Sequence, residues 1–209
     1  MFLGHFAVAF AAKKADKTLS LGSTMLAAQW LDLLWPVLLL TGTETAAIAP
    51  AGSNIPLEFT SYPFSHSLLT VAGWALLFAV VFYGITKQLR SAFVIAFLVL
   101  SHWFLDWLVH IPDLPLTPFS NEKLGLGLWN YKTAELLLEL LMYAIAVALF
   151  FKSRVNPGKR KSIITWSLII FLLVIHIMNV FGPPPPAITP VAVVGLLQWI
   201  FVAWGYWAD

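Results

Sequence analysis

Six long apolar stretches, separated by short polar segments, dominate the pattern of the chain. Each has about the 20 residues that a helix needs to cross a bilayer. They cover residues 20–42, 66–86, 91–111, 133–151, 162–182 and 188–207. A further apolar segment, residues 1–12, is too short to span, and its basic residues follow the apolar run, the reverse of a signal peptide. The pattern predicts an all-α, polytopic transmembrane bundle in a single domain, residues 1–209. The short N-terminal helix is expected to dip into the membrane or to pack against the bundle.

The composition excludes an ordinary soluble enzyme. Of the 209 residues, 60% are hydrophobic and 11% are charged, whereas soluble domains have about 45–50% apolar and about 25% charged residues. The chain has no cysteine, which excludes disulfides, a thiol nucleophile and thiolate metal ligands. No basic stripe follows a polar helix face, so nucleic acid is not an expected partner. The oligomeric state is left open.

The basic residues fall on one side of the predicted spans. Ten of the twelve flank the spans on that side, and only Lys123 and Lys132 fall on the other. The ten are Lys13, Lys14, Lys17, Lys87, Arg90, Lys152, Arg154, Lys159, Arg160 and Lys161. The positive-inside rule therefore predicts that both ends of the six-span core face the cytoplasm.

Several ionisable side chains fall inside the predicted spans, where each costs roughly 2.5–3.5 kcal/mol on insertion scales. The ionisable residues in or beside the spans are His5, Asp32, His66, His102, Asp106, His110, Glu135 and His176. Counted at about 1.5 Å per residue, those inside the spans converge on the outer half of the membrane. This convergence is expected of one site and is not needed by scattered structural ion pairs.

The sharpest pattern is His102 followed by Asp106, because residues four apart share one face of a helix. A histidine and a carboxylate at this spacing can bind one metal ion, as the helix-borne histidine pairs of zinc hydrolases do. A buried structural ion pair is the alternative. His110 continues this face with some drift, and an interfacial histidine is the preferred interpretation for it.

Asp32 has no Lys or Arg at its depth, so its carboxylate needs a metal ion or a protonated histidine. Pro36, four residues later, is expected to open a kink beside it.

Ser65 is predicted to cap the second span, with His66 in the first turn. A serine nucleophile is disfavoured, because adjacent helix positions do not place a hydroxyl on an imidazole. His176 is expected to be a supporting or lipid-facing residue.

Two loops, residues 43–65 and 112–132, are long enough to form a lid or a membrane-surface flap. A plain connector is the alternative for either loop.

Several short motifs resemble one family. Gly4-His5-Phe6, Asp32, Ser65-His66-Ser67, His102-x-x-x-Asp106 and the Gly127-Leu128-Trp129-Asn130 stretch before Glu135 are similar to inner-membrane metal-dependent hydrolases described as LexA-regulated or LexA-binding. The resemblance covers about residues 1–140. The chain is also distantly similar to the zinc-dependent phospholipase C and P1 nuclease group. The resemblance implies a bacterial inner-membrane protein, phosphoester chemistry, and a site that contains His5, Asp32, His66, His102 and Asp106.

The residues and the resemblance together predict a membrane-embedded metal-dependent hydrolase with its site toward the outer half of the bilayer. Three histidines (His5, His66 and His102) and two carboxylates (Asp32 and Asp106) would hold one or two ions. Nitrogen and oxygen donors suit Zn²⁺, with Mn²⁺ or Fe²⁺ as further candidates. Either aspartate could act as base, and Glu135 is a candidate for a further ligand or general acid. The expected substrate is a lipid or lipid-linked phosphoester, and a membrane peptide or amide is the second choice.

A proton- or ion-coupled transporter or channel is the main alternative, because intramembrane His and Asp residues also relay protons and bind ions. Transporters often carry helices interrupted by Gly or Pro in paired halves. Pro36 is the only proline well inside the first five spans, and no internal repeat is visible. A non-catalytic structural or regulatory membrane protein is the third hypothesis.

Overall fold

The computed structural model describes residues 1–50, 52–154 and 158–209. The helices in these residues are α1 (Phe2–Ala15), α2 (Leu21–Ala28), α3 (Trp30–Leu40), α4 (Pro63–His66), α5 (Leu68–Thr86), α6 (Leu89–Val109), α7 (Lys132–Ser153), α8 (Lys159–Phe181), α9 (Ile188–Leu196) and α10 (Gln198–Ala208). The strands are β1 (Thr45–Ile48), β2 (Leu57–Ser61), β3 (Leu114–Pro115) and β4 (Lys123–Leu124). β1 pairs with β2 and β3 with β4, both antiparallel.

The predicted all-α polytopic bundle is confirmed. Within the described part of the chain, five segments are long and apolar enough to cross a membrane, namely α5, α6, α7, α8 and the stretch from α9 through α10. α2 and α3 add a sixth if the bent pair is counted as one span. Each predicted span therefore coincides with a helix or a helix pair, within a few residues at either end.

The first predicted span is broken, and the break is at a different place from the one expected. The axes of α2 and α3 differ by 54° at Gln29, whereas Pro36 lies inside α3. The Nδ1 of His102 contacts the carbonyl oxygen of Ala28 at 2.7 Å. A side chain that competes for a helix carbonyl is a known cause of kinks, so the bend lies where α6 contacts this span.

α1 packs inside the bundle, which confirms the packing alternative for the N-terminal segment. Leu3, Phe6 and Phe10 are fully buried, and the helix contacts α2, α6 and α7. The ring of Phe10 packs edge-on against Tyr143 and Phe150 of α7, with ring centroids 5.9 Å and 5.2 Å apart. A helix that is apolar on all sides is stable only when it is surrounded, and this position explains the composition of the segment.

Serine side chains cap the N-termini of two helices, α2 and α5. The hydroxyl of Ser20 accepts the Ser23 N–H and caps α2, as N-cap serines do. Ser67, and not the predicted Ser65, caps the second span, since it is the residue before α5 and accepts the Thr70 N–H. Ser65 belongs to α4, a separate single turn that begins with Pro63, a residue favoured at the first helical position.

The two long loops form a hydrogen-bonded cap at one end of the bundle, and the cap consists of residues 43–50, 52–65 and 110–131. Tyr62 donates its phenolic proton to Asp113 Oδ1 at 2.9 Å, which joins the two loops. Burial and the Asp113 carboxylate raise the pKa of Tyr62 above its ordinary value, so the phenol keeps the proton that it donates. The N–H of Leu69 donates to Leu116 at 3.1 Å, which ties the cap to α5.

Candidate metal centre

Five predicted ligands meet inside the bundle, and we call them the His–Asp cluster. They are His5 of α1, Asp32 of α3, His66 of α4, and His102 and Asp106 of α6. Two overlapping groups have ligand atoms within 4.8 Å of one another. One group is His5, Asp32 and His102, and the other is His66, His102 and Asp106. Four helices contribute to the cluster, so it depends on the tertiary packing.

Within the cluster, ligand atoms of neighbouring side chains lie 3.1–3.7 Å apart. The Nε2 of His102 lies 3.1 Å from Asp106 Oδ2 and 3.7 Å from Asp32 Oδ1. The Nε2 of His66 lies 3.7 Å from the same two oxygens. The one-turn spacing of His102 and Asp106 on α6 places both side chains on one face, as predicted.

A hydrogen bond outside the cluster fixes the orientation of His102. Its Nδ1 lies 2.7 Å from the carbonyl oxygen of Ala28. A carbonyl only accepts, so Nδ1 carries a proton, and when the ring is neutral its lone pair is on Nε2. Among the described residues this buried Nε2 has no hydrogen-bond partner, although the Asp106 carboxylate lies 3.1 Å away. A histidine that binds a metal ion has this arrangement: one ring nitrogen donates a hydrogen bond that fixes the ring orientation, and the lone pair of the other nitrogen faces the carboxylates.

His66 has a similar support, which comes from Ser65 and Glu44. The Nδ1 of His66 lies 2.7 Å from Ser65 Oγ, and Ser65 donates its hydroxyl proton to Glu44 Oε2 at 2.6 Å. The sequence-based expectation that Ser65 would not contact His66 was therefore wrong, because the single turn of α4 turns both side chains to one side. The hydroxyl proton goes to Glu44, so the imidazole does not activate Ser65 as a nucleophile.

His5 completes one side of the cluster. Its ring stacks on that of His102, with centroids 3.5 Å apart and an interplanar angle of 8°. Its Nε2 lies 3.1 Å from Asp106 Oδ1, and the amino group of Met1 lies 2.7 Å from the same oxygen. Both Asp106 oxygens thus have neighbours within the cluster.

Asp32 is the accessible member. Its side chain is 25% exposed, whereas those of the other four are 0–6% exposed. A water-sized molecule can therefore reach the cluster at Asp32, while the histidines and Asp106 are enclosed.

Glu135 and His176 belong to neither ligand group, and together with Glu139 we call them the glutamate group. Glu135 and Glu139 are one turn apart on α7, and both are buried. Glu139 Oε2 accepts the N–H of Gly4 at 2.8 Å. His176 stacks on Phe2 and is buried, so the lipid-facing alternative for it was wrong. Glu135 belongs to neither ligand group, and its role as ligand or general acid stays a prediction.

His110 is a buried part of the cap, and the interfacial interpretation of it stays a prediction. Its Nδ1 lies 2.8 Å from Asp113 Oδ1, and its ring lies 4.0 Å from that of Trp129. Sequence reasoning missed Asp113 and Glu44. The His110-x-x-Asp113 spacing could have identified Asp113. Glu44 lies in an irregular loop, where no hydrophobic periodicity distinguishes it from its neighbours.

The family model of the YdjM inner membrane proteins matches residues 1–182, a stretch that contains the whole His–Asp cluster. No curated protein and no solved structure matches the chain. The match supports the inner-membrane part of the resemblance. The similarity to metal-dependent hydrolases and to the zinc-dependent phospholipase C group stays a prediction.

Proposed function

The chain belongs to the YdjM inner membrane protein family, and we propose that this multi-pass inner membrane protein is a metal-dependent hydrolase. The observation that supports the proposal is a set of hydrogen-bond acceptors that face one another. The Nε2 lone pairs of His66 and His102 and the carboxylates of Asp32 and Asp106 lie 3.1–3.7 Å apart. Buried acceptors at such distances are costly unless a metal ion or a proton lies between them.

The donor set fits a divalent transition metal. His66, His102, Asp32 and Asp106, with His5 beside them, offer imidazole nitrogens and carboxylate oxygens, which suit Zn²⁺, with Mn²⁺ or Fe²⁺ as further candidates. The two ligand groups share His102, so the cluster offers places for one or two ions. A bound metal would supply a Lewis acid that makes water a nucleophile at neutral pH.

The two aspartates differ in their surroundings, and this assigns them different roles. Asp106 is enclosed, with His5 and the Met1 amino group beside Oδ1. Asp32 is the partly exposed member and can receive a water molecule and accept its proton. We therefore propose Asp32 as the base and Asp106 as a ligand.

The substrate class proposed is a lipid or lipid-linked phosphoester, with a membrane amide as the second choice. The cluster lies among helices whose outward faces are apolar, such as Phe93 and Phe97 of α6, 65% and 63% exposed. A phosphate group is an anion, which a metal-loaded cluster would attract. The resemblance to phosphoester hydrolases supports the same choice.

The orientation proposed places the cap and the cluster in the outer half of the membrane, with both ends of the six-span core in the cytoplasm. The distribution of basic residues supports it. Single cysteines at Ser53 in the cap and at Lys159 would test it, because both residues are exposed. We expect an impermeant thiol reagent to label the Ser53 variant in intact cells and not the Lys159 variant. The opposite pattern would reverse the orientation.

The experiment on function is metal analysis and hydrolysis by the purified protein. We expect protein purified with Zn²⁺ to retain the metal and to hydrolyse a phospholipid in mixed micelles. A chelator should abolish the activity, and added Zn²⁺ should restore it. Asp32→Asn keeps an oxygen ligand at this position but removes the base, so it should retain the metal and lose the activity. Wild-type protein that binds no divalent metal would refute the proposal.

An ion- or proton-coupled transporter is the second candidate, and one observation favours it. The helix break at Gln29 lies beside the cluster, and both amide atoms of this buried side chain lack a hydrogen-bond partner in the part of the chain that the structure describes. Discontinuous helices at a polar site are typical of secondary transporters. Cation- or proton-driven uptake by proteoliposomes, without hydrolysis of any lipid tested, would favour the transporter.

A further inference from the structure

Glu44 and Ser65 form a chain of hydrogen bonds that ends on His66. We propose that Glu44 is a positioning residue, which acts through Ser65 to keep the proton of His66 on Nδ1 and to leave the Nε2 lone pair facing the His–Asp cluster. The consequence for metal binding rests on the proposed metal centre, whereas the proton position can be measured without metal.

With Glu44 in its carboxylate form, the protons in this series of hydrogen bonds can be placed in one way only. Glu44 is fully buried, and its Oε1 accepts the N–H groups of Phe64 and Ser65 at 2.7 Å and 2.8 Å. Its Oε2 accepts the hydroxyl proton of Ser65 at 2.6 Å. A serine has one hydroxyl proton, so Ser65 Oγ can only accept from His66. Nδ1 of His66, at 2.7 Å, must therefore carry the hydrogen.

The other ring nitrogen of His66, Nε2, then faces the His–Asp cluster without a proton. Nε2 lies 3.7 Å from both Asp32 Oδ1 and Asp106 Oδ2. Only a nitrogen without a proton can bind a metal ion. The Nε2–H tautomer would instead direct a proton at the two carboxylates and remove one nitrogen ligand.

A purely structural role for Glu44 has to be separated from this one, because the carboxylate also accepts two N–H groups of the α4 turn. The change Glu44→Gln separates them. The amide oxygen must take the place of Oε1, since an NH₂ group there would face two N–H donors. The amide NH₂ then faces Ser65 Oγ and donates to it.

This substitution therefore reverses the direction of the two hydrogen bonds that link residue 44, Ser65 and His66. Ser65 accepts from the amide and turns its hydroxyl proton toward Nδ1 of His66. The proton of the neutral imidazole then lies on Nε2. The turn keeps its hydrogen bonds, while His66 loses its lone pair toward the cluster. We expect a loss of about 10- to 100-fold in metal affinity, the range found when partners that orient a ligand are changed.

The experiment measures the tautomer by ¹⁵N NMR of histidine-labelled, metal-free protein in alkaline buffer. The chain has five histidines, and His66→Gln identifies the His66 signals. We expect Nδ1–H in the wild type and Nε2–H in Glu44→Gln. His102, which bonds Ala28, should keep its Nδ1–H in both. Glu58→Gln, the same change at an exposed position of β2, is the matched control and should alter neither the tautomer nor Zn²⁺ affinity.

Two results would overturn the proposal: an Nε2–H tautomer in the wild type, or an unchanged tautomer in a folded Glu44→Gln variant. Ser65→Ala covers the case in which that variant does not fold, since Glu44 keeps both peptide donors. We expect Ser65→Ala to lose the fixed tautomer, and an unchanged tautomer there would also overturn the proposal. If the wild type binds no Zn²⁺, the proposed function fails while the tautomer result still decides this inference.

Discussion

The His–Asp cluster and the glutamate group contact α1 at neighbouring residues, yet they differ in chemistry. In the cluster, imidazoles alternate with carboxylates, and His5 of α1 is one member. In the glutamate group, two carboxylates lie one turn apart, and Gly4 of α1 donates its N–H to one of them. Both groups are buried ionisable sets in one bundle, so burial and charge do not distinguish them.

The two groups differ in the hydrogen bonds that residues outside each group make to its histidines. Ala28 fixes the ring of His102 from behind, and Ser65 does so for His66. The Nε2 of His176 has no partner, and its ring stacks on Phe2. Oriented lone pairs that converge on one point suit a metal ion, whereas adjacent carboxyl groups suit a shared proton. Candidate ligands are thus better recognised by their supporting bonds than by their number.

The change with the largest expected effect is Asp106→Asn. Asp106 lies within 3.7 Å of three histidines of the cluster, so we expect Zn²⁺ affinity to fall by more than about 100-fold, beyond the usual effect of an orienting bond. Competition with a chelating dye would measure it. Glu139→Gln changes an equally buried carboxyl group and should leave the affinity unchanged. Equal losses in both variants would show that the two groups form one site.

The next effect is expected from His5→Ala. His5 lies at the edge of the cluster, stacked on His102, so we expect Zn²⁺ affinity to fall by about 10-fold, at the low end for a supporting partner. His176→Ala removes another buried imidazole near α1 and is the control. Metal content and membrane insertion should be measured for both. Wild-type affinity in His5→Ala would limit the site to the other four residues.

Glu139→Leu tests the glutamate group for a structural role. The variant leaves the Gly4 N–H without its acceptor, and an unsatisfied buried donor costs about 1–3 kcal/mol. We expect a lower melting temperature in detergent with unchanged Zn²⁺ affinity, and near wild-type stability for Glu139→Gln, which keeps an acceptor. Loss of Zn²⁺ binding in Glu139→Leu would contradict the separation of the two groups.

The smallest effect concerns Asp16, a carboxylate that accepts hydrogen bonds from Ser91 and Thr18 and is also stabilised by the charge of Arg90. Burial raises its pKa, but hydrogen bonds from Ser91 and Thr18 outweigh burial and hold the pKa below its ordinary value. The ionised form therefore stabilises the fold above the unfolded-state pKa, and this contribution is lost as the pH falls through the folded-state value. We expect Ser91→Ala to cost about 1 kcal/mol at neutral pH and less in acid, in melting curves at several pH values. A pH-independent loss would contradict this.

The sequence was sufficient for the spans and for most of the cluster. Long apolar runs mark membrane helices, and the four-residue spacing of His102 and Asp106 requires only a regular helix. His5 was placed by resemblance to a family motif. These signals are local, and the packing of the bundle did not alter them.

The remaining features depend on contacts between distant segments. Ala27-Ala28-Gln29 contains no helix breaker, and the break coincides with a bond from His102, 74 positions later. Glu44 meets Ser65 across an irregular hairpin. The burial of His176 could not be predicted from the sequence. Its span is apolar on most sides, so no polar face shows which side of the helix faces the interior of the bundle.

The contact between α1 and α7 has a consequence for biosynthesis. All five residues of the His–Asp cluster have been translated by Asp106, but α7, which packs against α1, is translated later. Gly4 and Glu139, which bond each other, are 135 positions apart. The packing of α1 against α7 can therefore form only after α7 has been inserted. If the proposed metal centre needs α1 in this position, metal binding would follow the insertion of α7, and metal occupancy would report that α1 and α7 have packed.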